Sequence, residues 1–174
     1  MSPVDDDTVP LADVVIEDPR WEAFGLAGLA DRAMRGTLAT LGMGMSGYTV
    51  CVMGCDDARI AELNGAFRGK GMPTNVLSWP FEDRAADAPG GTPEIPEPGT
   101  ANDPTELGDV ALAYETCMAE ARDQNKIASD HVTHLIVHGV LHLLGYDHVR
   151  DADAVVMETL EARVLAPMGV SDPY

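Results

Sequence analysis

Val and Ile cluster in the short run from Leu11 to Glu17 (LADVVIE), which Asp18-Pro19 stops, and this predicts a first strand. After Pro19 the pattern turns helical: Trp21, Phe24, Leu26, Leu29, Ala33 and Leu38 recur at helical spacing up to Gly42 to Gly44, with Gly25, Gly28 and Gly36 as weak points. Tyr48 to Met53 (YTVCVM) reads as a second strand. Beyond Gly54, Asp56 or Asp57 caps a helix whose apolar face is Ile60, Leu63, Ala66 and Phe67. A third strand, Thr74 to Trp79, stops at Pro80, and a fourth is expected over Glu106 to Ala113. Helices follow at Tyr114 to Gln124, Asp130 to Leu144 and Asp151 to Ala166.

Five prolines and three glycines lie among many acids between Glu82 and Thr105, a composition that excludes helix and central strand. This stretch is expected to be a mobile surface loop inside one domain that spans residues 1–174. There is no internal repeat. The element order predicts an α+β fold with α/β character, a small mixed sheet of about four strands with helices packed on it.

Charge narrows the function. With 11 Lys and Arg against 29 Asp and Glu, the formal net charge is -18, which excludes a nonspecific coat for polyanions. No run of about 18 apolar residues occurs, and MSPVDDDTVP has neither the basic region nor the apolar stretch of a signal peptide, so a cytoplasmic protein without membrane contact is expected. Cys51, Cys55 and Cys117 are too few for a disulfide framework and are expected as buried thiols.

The strongest chemical signal is the stretch DHVTHLIVHGVLHLLGYDH, which holds all five histidines: His131, His134, His138, His142 and His148. On a helix, His138 and His142 share one face about 6 Å apart in rise and can bind one ion. His134 cannot be the third ligand of a straight helix, because it would stretch the set to about 12 Å. Gly145 can end the helix in the left-handed conformation and return His148 to the other two rings. Histidine pairs at this spacing are usually ordinary helix-face residues; three with a helix-ending glycine are not. His131 and His134 are read as helix-face residues, with His134, one turn below His138, the candidate supporting partner outside the ligand set.

The pattern His138-Gly139-x-x-His142-x-x-Gly145-x-x-His148 matches the H-E-x-x-H-x-x-G-x-x-H of metzincin proteases except at one position. There the proteases carry the glutamate base, and Gly139 has no side chain. Peptide hydrolysis by that route is disfavoured, while a metalloprotease-like metal helix remains. Three neutral imidazoles with an open position suit zinc, whose bound water ionises near pH 7.

Three blocks make the chain resemble the YbeY family, bacterial rRNA maturation factors regarded as single-strand-specific, metal-dependent endoribonucleases. They are Leu63 to Lys70 (LNGAFRGK) with Pro73 to Pro80 (PTNVLSWP); Leu107 to Val110 (LGDV) with Glu115-Thr116; and the histidine block through Gly145-Tyr146-Asp147-His148, with Asp172-Pro173-Tyr174 after it. The likeness runs from about Cys51 to the C-terminus, with the Pro-rich loop as an insertion. It implies one zinc ion per chain on His138, His142 and His148, and Arg68 as the catalytic or phosphate-contacting arginine. A guanidinium suits that role, because a phosphodiester gains negative charge in its pentacoordinate transition state. Lys70, Asn75 and Ser78 are candidate substrate contacts, and Asp147, like His134, a candidate to orient a ligand ring. The family implies action on single-stranded RNA in 16S rRNA 3′-end maturation and ribosome quality control, with the small ribosomal subunit, a ribosomal protein or an Era-type GTPase as partners. Family members commonly carry further charge after the Gly-Lys pair, whereas Gly71-Met72 follows here. RNA affinity therefore needs a local basic cleft, such as Arg59, Arg68 and Lys70, or a ribosomal partner.

Two other readings use the same residues. A metal-dependent peptidase or other hydrolase would need a base from outside the motif, with Glu115 or Asp109 as candidates. A ribosome-assembly factor with a structural metal would have its fourth coordination position closed by Cys117, Glu115 or His134. A tris-histidine site also accepts nickel, copper or iron.

Overall fold

The computed structural model describes residues 10–68 and 73–174, and the side chains of all of these except 66–68. Strands β1 (Ala12–Ile16), β2 (Tyr48–Cys55), β3 (Val76–Pro80) and β4 (Thr105–Ala113) form one sheet in the order β1-β2-β4-β3. β1, β2 and β4 are parallel neighbours, and β3 runs antiparallel to β4 along one edge. With helices packed on this mixed sheet, the fold is α+β, as the element order predicts.

The helix expected from Pro19 to the Gly42 region is two helices, α1 (Arg20–Phe24) and α2 (Leu26–Thr40). Gly25, at φ 87°, breaks it, a conformation that favours glycine. The break seats Trp21, which is wholly buried, with its indole N–H donating to the Cys55 carbonyl at 2.9 Å. Helix α3 (Asp57–Arg68) and helix α4 (Tyr114–Asp123) cap one another. Glu115 accepts from the Asp57 amide at 3.1 Å, and Asp57 accepts from the Thr116 amide at 3.0 Å and its hydroxyl at 2.8 Å.

Helix α5 (Ala128–Leu143) lies against α2, α4, helix α6 (Asp151–Leu165), β3 and β4. The larger core fills this side of the sheet, where Val50, Val52, Val110 and Leu112 meet Met34, Ile136, Val140 and Leu165. A smaller cluster, Cys55, Ile60, Leu77, Ala111 and Ala113, packs together with Leu63 of α3. Gly139 lets α5 approach the sheet, for a Cβ there would stand 3.1 Å from both methyls of Val110.

Between β3 and β4, residues 82–104 form no helix or strand, as their prolines dictate. The expected mobile loop is nevertheless fastened at several points. Arg150 donates to the carbonyls of Ala86 at 3.2 Å and Asp87 at 3.3 Å, the Gly90 amide donates to Asp153 at 2.8 Å, and the Tyr48 hydroxyl donates to the Pro96 carbonyl at 2.6 Å.

Candidate metal centre

Local sequence at the end of α5 shapes the site. The Tyr146 amide donates to the Leu141 carbonyl and the Gly145 amide to the His142 carbonyl, each at 3.0 Å, the paired bonds that close a helix on a left-handed residue. Gly145 has φ 105°, and a Cβ there would stand 2.3 Å from the Arg84 carbonyl oxygen, so both conformation and space require glycine. Arg84 in turn donates to the Leu143 carbonyl at 3.3 Å. The turn brings His148 back, with its ring centroid 5.3 Å from that of His138 and 5.1 Å from that of His142. His148 is exposed, so the site opens to solvent on its side.

Hydrogen bonds fix the tautomers of the two helical rings. His138 Nδ1 stands 2.5 Å from Glu161 Oε1, and His142 Nδ1 stands 2.9 Å from the Tyr146 carbonyl oxygen. Both partners are acceptors, so each Nδ1 carries a proton, and on the neutral His142 ring Nε2 is left as a lone pair. Those two Nε2 atoms face each other at 3.0 Å. At that separation the pair shares either a proton or a metal ion, and an ion takes both nitrogens as lone-pair donors. His142 stays neutral, because burial first, then the nearby His138 and His148 rings, hold its pKa down at about 4. One potential ligand atom from each of His138, His142 and His148 lies within 4.8 Å of the others, so the donor set fits one metal ion.

A second group, His134, His138 and Glu161, is equally compact but differs in chemistry. Here every contact carries a proton. Glu161 is wholly buried and accepts from His138, from His134 Nε2 at 2.9 Å and from the Tyr174 hydroxyl. Burial pushes its pKa up, and the bonds from His134, His138 and Tyr174 more than reverse that, holding it at about 2. It is therefore an anion that fixes rings, and His134 is tied to His138 through it. Sequence reading missed Glu161, although a signal existed. Met157, Leu160, Glu161, Val164 and Leu165 repeat at helical spacing, all buried, and Glu161 is the one acid on that stripe.

The other expected residues divide. Asp147 accepts from the His148 backbone amide at 2.7 Å, which fixes the turn rather than a ring. Asn75 spends its side chain internally, on Glu120 at 3.3 Å and on the Val76 amide at 2.7 Å. Ser78 pairs with Val110 on edge strand β3, in phase with Val76, which packs on the core on the α5 side. Arg68 ends α3, but its side chain lies outside the described residues, as does Lys70 entirely.

Both bases considered for a peptidase are placed elsewhere. Glu115 is engaged by Arg20 and the Asp57 amide, and Asp109 alternates with Ala111 and Ala113, which pack in the cluster beside α3. A side chain at position 139 would meet Val110. Among the described residues, no fourth His, Cys, Asp or Glu joins the three histidines, so Cys117, Glu115 and His134 leave the fourth position open. The Cys117 thiol, buried and pushed well above its usual pKa by that burial, donates to the Asn75 carbonyl.

Comparison with known proteins gives a consistent result. The family profile described as Endoribonuclease YbeY matches residues 17–169. A protein of Cereibacter sphaeroides bearing that description is 64% identical over 165 residues, which are 95% of this chain and 99% of that one. Its counterpart in Ruegeria pomeroyi is 56% identical over 162 residues, covering 93% and 96%. In fold, the solution structure of a Thermotoga maritima protein superposes with a TM-score of 0.52 at 20% identity, covering 93% of this chain and 97% of that one.

Proposed function

The chain belongs to the endoribonuclease YbeY family, and on that premise we propose that it cleaves single-stranded RNA at a zinc centre held by His138, His142 and His148. The chain is an RNA-cleaving hydrolase. The observation that carries the metal is the convergence of one ring nitrogen from each of the three histidines within 4.8 Å, with the two helical Nε2 atoms facing each other at 3.0 Å. A divalent ion there supplies Lewis-acid chemistry to a phosphodiester. The protein's own groups do the rest. Glu161 and the Tyr146 carbonyl hold the Nδ1 protons of the helical rings, and the open His148 side admits a strand of RNA. Arg68 stabilises the charge that builds on the phosphoryl oxygens. Lys70 holds a neighbouring phosphate, and Ser78 on edge strand β3 offers a hydroxyl beside the metal helix; Asn75 steadies that strand from its own start.

The substrate in this reading is the 3′ region of 16S rRNA on the small ribosomal subunit. A ribosomal protein or an Era-type GTPase brings the enzyme to it, since a protein at -18 needs help to approach a polyanion. The setting is the cytoplasm. Among the described residues no helix is long and apolar enough to cross a membrane.

The test is cleavage of a single-stranded RNA by zinc-loaded protein, with metal content measured in each preparation. The wild type cuts, His142→Ala loses both metal and cutting, and Arg68→Ala keeps metal while losing about 100-fold or more in rate. Equal cutting by all three, or no cutting by a metal-loaded wild type, rejects the proposal.

A further inference from the structure

Glu161 is reached by a third donor that comes from neither α5 nor the metal loop. The Tyr174 hydroxyl donates to Glu161 Oε2, and the Tyr174 ring stands edge-on to His134, with centroids 5.8 Å apart at 88°. The Tyr174 amide donates to Asp172 at 2.9 Å, which turns the segment towards α5 and α6. We propose that Tyr174 is a latch on the metal centre: its hydroxyl holds Glu161, Glu161 holds the His138 ring, and the ring's Nε2 is thereby aimed at the ion.

The chemistry follows from proton and charge placement. A buried carboxylate with four lone-pair positions needs several donors to hold one rotamer, and three of them converge on Glu161. Removing the Tyr174 hydroxyl leaves Oε2 with His134 alone, so the carboxylate is free to rotate and Oε1 loses its aim at His138. Outer partners that orient a ligand ring also raise its basicity, and losing one typically lowers metal affinity 10- to 100-fold. Coupling must be reciprocal, so the ion should in turn hold the C-terminal segment down. Tyr174 and Glu161 are positioning residues in this account. The inference rests on the proposed tris-histidine zinc site.

The test uses the full chain with Zn2+ competed against a chromophoric chelator, and Co2+ as a spectroscopic probe. Glu161→Gln should bind Zn2+ 10- to 100-fold more weakly and Tyr174→Phe about 3- to 10-fold more weakly, with an altered Co2+ absorption band in each. Amide exchange at residues 171–174 should slow when Zn2+ binds. Wild-type affinity and Co2+ spectrum in Tyr174→Phe would overturn the latch. So would amide exchange indifferent to Zn2+. If the wild type itself fails to bind one Zn2+, the tris-histidine site is what fails, a distinct result. Should Glu161→Gln not fold, Tyr174→Phe alone decides, since it removes one oxygen from a largely exposed residue.

Discussion

The two halves of helix α5 carry the same side chain on neighbouring turns and put it to opposite uses. In the first half, His131 is 4% exposed with neither ring nitrogen hydrogen-bonded, and His134 spends Nε2 on Glu161. In the second half, His138 and His142 give their Nδ1 protons to acceptors and turn their Nε2 atoms towards each other at 3.0 Å. Residue type and helical spacing do not separate these pairs. What separates them is the atom opposite the other ring nitrogen, together with a turn that returns a third ring to the second half only. A histidine is fitted to be a ligand where an acceptor takes its proton on the far side and its other nitrogen meets those of further histidines.

The largest expected effect comes from breaking the second half. His142→Ala should lower zinc affinity by more than about 100-fold, beyond the loss of an outer partner, while His131→Ala stays within about threefold; competition titration measures both. Restoring the protease motif with Gly139→Glu should give no peptidase. A carboxylate pressed into Val110 should instead destabilise the metal-free protein by about 3 kcal/mol or more, read by urea unfolding.

A smaller effect marks the first half. Burial, then Lys126 and His134, lower the His131 pKa to about 4. The folded value lies below the ordinary one near 6.5, so the contribution to stability is present above about pH 6.5 and is lost as pH falls towards 4. Metal-free His131→Leu should therefore lose less stability than wild type across that interval, by about 1–3 kcal/mol in urea titrations at several pH values. The smallest effect belongs to Asp147→Ala. It removes one bond to the His148 amide and should weaken zinc by no more than about 10-fold, by the same competition titration.

The second half was legible in the sequence because its determinants are local. His138, His142, Gly145 and His148 lie within eleven positions, and helix pitch plus a left-handed glycine suffice to bring the rings together. Glu161 was not read, because it comes from another helix and its partner is defined only when α5 and α6 pack; its trace is an acid on an apolar stripe. The strand order and the fastening of residues 82–104 were hidden for a similar reason. Arg150 holds that segment through the backbone carbonyls of Ala86 and Asp87, which no residue type announces. The break at Gly25 had its signal, a glycine in a helical pattern, but the seating of Trp21 against Cys55 had none.

The most direct measurement is the imidazole nitrogen spectrum of the protein by NMR during titration with Zn2+. Protonated Nδ1 on both His138 and His142, and a bare Nε2 on His142, are expected before metal is added. At one equivalent, Nε2 of both rings and one nitrogen of His148 should shift as coordinated nitrogens, while His131 stays unchanged and His134 keeps its Nε2 proton. Coordination shifts at His134, or none at His148, would contradict it.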